Sequence, residues 1–262
     1  MDRVVNTVAR AIFVFLYIPI VAVIVYSFNA AGTSARFEGL TLDWYVELFR
    51  DGALMKTMRT SAIVAIITAS VATAIGIMFA IGIARYRGRS KSGLIALIAL
   101  PLVVPEIVLG VALLSLLSAA EVSLGITTLV LGHLIVSLPL STLVLMSASA
   151  SLDPSLPEAA SDLGCTPWQT FTRVYFPLLR PAAVAAWLLS FTTSFSNIVM
   201  STFLSGVGST TLPLRIYSSL KTGLTPSINA LGALLILLTL AIVLAVGVTQ
   251  MRRILVESHS SK

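Results

Sequence analysis

Glu106 stands inside an apolar run, just after Pro101 and Pro105, and no other carboxylate of the chain is so placed. It falls about 12 residues into that run, ~18 Å along a straight helix rising about 1.5 Å per residue, hence near the centre of a bilayer. An ionisable group at that depth costs about 2.5 kcal/mol or more unless it faces a polar cavity or a partner, which marks it as functional by default. Helices broken at mid-membrane line pathways, whereas the structural alternative is a carboxyl group that caps backbone freed by Pro105. Further on, Ser190, Thr193, Ser194, Asn197 and Ser201 recur at three- and four-residue spacing, the signature of one polar stripe on one helix. Such a stripe lines a pore or joins helices through hydrogen bonds worth about 1 kcal/mol each. Asn197, bulkier and costlier to bury unpaired, favours the pore. Glu106, Ser190, Thr193, Asn197 and Ser201 are accordingly the candidate pathway residues. His133 has no second ligand at metal spacing and reads as a hydrogen-bonded structural imidazole.

A second polar stretch, Leu156 to Pro181, interrupts the apolar sequence with two helix starts. Ser155-Leu156-Pro157-Glu158 has the S-x-x-E spacing in which hydroxyl and carboxylate satisfy free backbone N–H groups reciprocally. Gly164 supplies the stop. Thr166-Pro167-Trp168-Gln169 opens a second helix, with Thr166 as N-cap, Pro167 at the first position and Gln169 closing the box. Pro177 and Pro181 are expected to end it. Trp168, Phe171 and Tyr175 fall at i, i+3, i+7, so the spacing predicts one aromatic face, able to pack on a partner or on neighbouring helix ends.

The elements that must position these residues are membrane helices. Of 262 residues 57% are hydrophobic and 11% charged, with a mean hydropathy of +0.98, whereas a soluble domain carries about 25% charged residues. Six apolar spans are expected, roughly over 11–28, 58–83, 94–117, 126–149, 182–204 and 228–248, each near the ~20 residues a bilayer core requires. The third is broken by Pro101 and Pro105. Between the first two, residues 42–49 form an amphipathic pattern suited to an interface, with Trp44 and Tyr45 in the aromatic belt. The organisation is thus a first transmembrane helix with its N-terminal tail over 1–28, an external segment over 29–57, a five-helix core over 58–250 that includes the loop 150–181, and a tail over 251–262.

Charge sets the orientation. Eleven of the 17 Lys and Arg fall on the side of the termini and the 156–181 loop, so that side is expected to be cytoplasmic. The net charge of +6 is thereby explained without nucleic acid. Cys165 is the one cysteine, which excludes an internal disulfide framework. There is no G-x-x-x-x-G-K-[ST] loop to cradle phosphate and no H-E-x-x-H, so no catalytic residue, metal ligand or cofactor is assigned to this chain.

The loop carries a resemblance. Glu158-Ala159-Ala160, three residues, Gly164, nine residues, then Val174, Phe176 and Pro177 resembles the EAA loop of ABC importer permeases, whose pattern is EAA, G, then I-x-L-P. Val174 replaces Ile and Phe176 replaces Leu. The resemblance implies an all-α, six-helix type I importer bundle in a bacterial inner membrane, with both termini cytoplasmic. It makes the loop a coupling helix seated in a groove of a separate ATPase through Glu158, Ala159, Ala160, Gly164, Trp168, Phe171 and Pro177. Further runs, among them Leu16-Tyr17-Ile18-Pro19-Ile20, Pro105-Glu106-Ile107-Val108 and Leu212-Pro213-Leu214-Arg215, are similar to the spermidine/putrescine permeases. That implies a sister permease, two ABC ATPase subunits that bind ATP and Mg, and a periplasmic substrate-binding protein.

One departure bears on the solute. Where those polyamine permeases carry acids this chain has Ser196-Asn197, which leaves open a polyamine, an amino-acid-derived compound or an organophosphonate. Two other classes compete: an ion-coupled transporter using Glu106 as proton carrier, and an intramembrane protease using His133, for which no paired nucleophile motif occurs.

Overall fold

A computed structural model describes residues 2–31, 36–222, 226–237 and 240. These fall into two compact units, one within Met1–Met55 and Ser218–Lys262, the other within Lys56–Tyr217. The helices are α1 (Asp2–Tyr26), α2 (Asp43–Arg50), α3 (Gly52–Arg85), α4 (Lys91–Val103), α5 (Glu106–Ala119), α6 (Ile126–Ala150), α7 (Leu156–Asp162), α8 (Pro167–Thr170), a π-helical turn (Phe171–Tyr175), α9 (Phe176–Phe195), α10 (Val199–Leu204), α11 (Leu212–Thr222) and α12 (Pro226–Leu237). Among the described residues four helices are long and apolar enough to cross a membrane, or up to five if α4 and α5 together make one span. The first half of the sixth expected span is described as part of α12, and residues 238–239 and 241–248 of it lie outside the described residues.

In the first unit the segment after α1 folds back on α2. Asn29 pairs with Leu40 in an antiparallel bridge, its Oδ1 accepts from the N–H groups of Ala31 and Glu38, and its carbonyl accepts from Trp44 Nε1 at 2.7 Å. Tyr45 reaches Ser27 with its hydroxyl at 2.7 Å. Trp44 and Tyr45 thus use their polar ends within the protein, which fixes the entry to α2.

The second unit is built around α6. It packs along α9, and its small positions let neighbours approach closely: a Cβ at Gly76 of α3 would meet Leu145 and Ser141 of α6 at 2.9 and 3.3 Å. One cluster joins Ile77, Ala80, Leu145, Ala183 and Ala186; another joins Val64, Leu117, Leu129, Met200 and Leu204. The hydroxyls of Thr68, Thr73, Ser137, Ser141, Thr142 and Ser149 are buried there and have no hydrogen-bond partner among the described residues.

Three boundaries differ from the sequence expectation. Asp51 Oδ1 accepts from the N–H groups of Ala53 and Leu54, which starts α3 ahead of the apolar run. Pro101 lies inside α4 and does not break it, whereas Pro105 forces Val104 into extended backbone (ψ 132°) and α5 leaves at 99° to α4. A straight-helix depth for Glu106 therefore does not hold. The expected fifth span is interrupted at Ser196–Ile198, between α9 and α10.

The loop after α10 makes a close approach. A Cβ at Gly206 would lie 1.9 Å from the carbonyl oxygen of Leu124, a backbone atom. Gly206→Ala is expected to cost about 1–3 kcal/mol as overpacking does, read as a lowered thermal midpoint in detergent. An unchanged midpoint would mean that this contact is not maintained.

Candidate functional site

Two breaks in the helices meet at one hydrogen bond. Glu106 begins α5, where its carboxylate also faces the positive end of the helix dipole. Asn197 lies in the turn between α9 and α10, and its Nδ2 donates to Glu106 Oε1. The Asn197 Oδ1 accepts from the N–H of Met200 at 2.8 Å, so the same side chain caps α10. Glu106 is half-buried.

Two adjoining cavities, of about 430 and 350 Å³, share Glu106 and Val136. The larger is also lined by Thr192, Thr193, Ser196 and Asn197. Thr192, Thr193 and Ser196 donate their hydroxyl hydrogens to the carbonyls of Leu188, Leu189 and Thr192 one turn back, at 2.8–2.9 Å. What they offer the cavity is therefore oxygen lone pairs. A carboxylate and acceptor oxygens together suit a cationic guest.

The expected stripe divides. Thr193 and Asn197 line the cavity with Glu106; Ser190 and Ser201 do not. Ser190 is buried against α6 and donates to the Ser137 carbonyl at 3.5 Å. Ser194 and Ser201 are buried on either side of His133, whose ring is 1% exposed. The division follows the packing: Ser190, Ser194 and Ser201 face Ser137 and His133 of α6, whereas Thr192, Thr193, Ser196 and Asn197 face the cavity on both sides of the break. Thr192 and Ser196 also belong to the cavity; Thr192 was not singled out in the sequence, and Ser196 only as part of the Ser196-Asn197 pair that stands where polyamine permeases carry acids.

The polar loop is a separate structure. α7 ends in a Schellman arrangement: Gly164 takes φ +78°, its N–H bonds the Ser161 carbonyl at 2.8 Å, and the Cys165 N–H bonds that of Ala160 at 2.9 Å. The Thr166 box forms as the spacing predicts, Gln169 N–H to Thr166 Oγ1 at 3.3 Å and Thr166 N–H to Gln169 Oε1 at 2.8 Å. The Ser155–Glu158 box does not. Asp153 Oδ1 accepts from both the Ser155 N–H (2.8 Å) and its hydroxyl (2.7 Å), which removes Ser155 as a cap and holds the Asp153 carboxyl below the usual carboxylate range. Glu158 is thereby left exposed at the first turn of α7.

Pro177 and Pro181 do not end the second helix. The turn Phe171–Tyr175 is π-helical, the Phe176 N–H bonds the Phe171 carbonyl, and this shift of register puts Pro177 at the start of α9, where a missing N–H is tolerated. The same turn rotates the aromatic face. Trp168 stacks on Phe171 at 5.5 Å and is 71% exposed, whereas Tyr175 is buried beneath the Arg85 guanidinium, 4.9 Å from its ring centre, and accepts from Arg85 Nε at 3.3 Å. Ala160 is buried; Ala159 and Pro177 are exposed and Phe171 half-buried. Leu163, 85% exposed, adds a second apolar knob that the sequence did not flag.

The chain is similar to known transport proteins along most of its length. It is 37% identical over 238 residues to the spermidine/putrescine transport system permease protein PotC of Haemophilus influenzae, covering 91% of this chain and 93% of that one. It is 36% identical over 231 residues to the putrescine transport system permease protein PotI of Escherichia coli, covering 86% and 82%. Among solved structures, a bacterial ABC transporter importing the acidic polysaccharide alginate superposes with a TM-score of 0.69 at 15% identity, covering 95% of each chain. The alginate transporter in complex with its pentasaccharide-bound periplasmic protein superposes with a TM-score of 0.70 at 16% identity, covering 93% of this chain and 91% of that one. These two share the fold. The family model for inner membrane components of binding-protein-dependent transport systems matches residues 72–256, and with those relatives it establishes that this chain belongs to that family of multi-pass inner-membrane proteins.

Proposed function

We propose that this chain is the permease subunit forming half of the translocation pathway of an ATP-driven polyamine importer. The observation that carries the proposal is the half-buried Glu106 carboxylate, held by Asn197 at the meeting of two helix breaks and surrounded by acceptor oxygens. An alkylammonium stripped of water needs a counter-charge or aligned dipoles, and this cavity supplies both. The relatives named for spermidine and putrescine support the same solute class. With Asn197 in place of an acid, this half-pathway engages one ammonium group at a time.

A sister permease supplies the other half. ATP and Mg bind in two ATPase subunits, which the α7–α8 loop engages through Glu158, Leu163 and Trp168 from the cytoplasmic side, where both termini also lie. A periplasmic binding protein delivers the solute. The excess of Lys and Arg on the loop side supports that orientation.

The test is ATPase activity of the complex, co-expressed with its genomic neighbours, in lipid nanodiscs with the binding protein and a panel of solutes. Spermidine or putrescine is expected to stimulate hydrolysis. Stimulation by a neutral or anionic solute alone would keep the permease role and replace the substrate.

A further inference from the structure

The buried imidazole of His133 lies where α6, α9 and α10 meet. Its Nδ1 is 2.8 Å from Ser194 Oγ, in the last turn of α9, and its Nε2 is 3.3 Å from Ser201 Oγ, in α10. The two serines stand on opposite sides of the break at Ser196–Ile198. Ser201 has one hydroxyl hydrogen and donates it to the Asn197 carbonyl at 2.8 Å, so toward His133 it can only accept. In the neutral ring Nε2 then carries the hydrogen and Nδ1 accepts from Ser194. Both ring nitrogens are then satisfied.

Asn197 is then held at four points, one of them its own N–H on the Ser194 carbonyl at 3.3 Å. Ser201 bonds its carbonyl, the Met200 N–H bonds its Oδ1, and its Nδ2 is left for Glu106. A continuous network runs from His133 through Ser201 and Asn197 to the cavity carboxylate. Serine and histidine at this distance also resemble a hydrolytic pair, but Ser194 is 3% and Ser201 0% exposed, and neither lines the cavities described above. A substrate bond has no path to either oxygen.

We infer that His133 is a positioning residue for transport: it clamps the two halves of the interrupted helix and so sets where the Glu106 carboxylate stands in the cavity. The inference rests on the reading of Glu106 as a pathway group.

The test uses the assembled complex in membranes, with radiolabelled spermidine uptake normalised to complex present. His133→Phe keeps a ring and removes both hydrogen bonds. It is expected to lower maximal uptake about tenfold with KM little changed, because the pathway acts after the binding protein has delivered the solute. His133→Gln, which returns an amide N–H toward Ser201, is expected to recover most of that loss. In a Glu106→Gln background His133→Phe is expected to add less than about twofold, since residues in one network are not additive. Equal and multiplicative losses in both backgrounds, or no rescue by glutamine, would overturn the clamp and leave packing alone.

A second readout needs no solute. In a Cys165→Ser background, thiol labelling of Ser196→Cys is expected to change rate several-fold on His133→Phe, and an unchanged rate would also overturn the clamp. Absence of spermidine uptake in the unmodified complex would instead refute the substrate, with the labelling still deciding the role of His133.

Discussion

Replacing Glu106 by glutamine is expected to lower the maximal rate of polyamine uptake by roughly ten- to a hundredfold. Glutamine retains an oxygen that can accept from Asn197 Nδ2, so the bond between the two helix breaks survives while the charge is lost. A hydrogen bond to a charged group is worth about 1.5–3 kcal/mol, which is the origin of the expected range. The loss should appear in the maximal rate, because capture by the binding protein precedes entry into the cavity. Uptake of spermidine and putrescine in vesicles containing the complex, normalised to the assembled protein, measures it. Unchanged uptake at unchanged expression would return Glu106 to a capping role at the start of α5. The same vesicles separate the competing transport class: accumulation that follows a pH gradient without nucleotide would make Glu106 a proton carrier.

Glu158→Arg should insert and fold yet lose the ATPase. Glu158 is exposed in the first turn of α7, and among the described residues it makes no hydrogen bond or ion pair. Reversing its charge there costs about 0.3–1 kcal/mol against the helix dipole, small beside the ~5–15 kcal/mol that holds a folded protein. A charge pair buried in an interface is worth more, about 2–5 kcal/mol when one member is removed. ATPase recovered with affinity-purified permease is therefore expected to fall at least tenfold, with the thermal midpoint of the permease unchanged. Normal recovery and normal uptake would remove Glu158 from the coupling surface. The exposed Leu163 and Trp168 on the same loop would then be left as its apolar anchors.

What the sequence determined by itself were features whose causes lie within a few residues. Composition set the membrane class, the distribution of Lys and Arg set the expected orientation, and Gly164 and the Thr166–Gln169 box were legible because a positive-φ turn and a reciprocal cap are local events. The break before Glu106 was legible too, since proline acts on the residue preceding it. The tertiary structure decided the rest. A single π-helical turn carried the chain through Pro177 and turned Tyr175 inward toward Arg85, whereas the loss of the Ser155 box to Asp153, two residues upstream, was a local competition that the S-x-x-E spacing alone did not weigh. Which hydroxyls face the cavity and which face α6 was not readable from spacing, because lipid-facing and core-facing positions of a membrane helix are equally apolar and only packing distinguishes them. Ser190 and Ser201 went to the helix interface, and Asn197 to Glu106, 91 residues away. That pairing depends on two interrupted helices meeting, and no signal confined to either of them specifies the other.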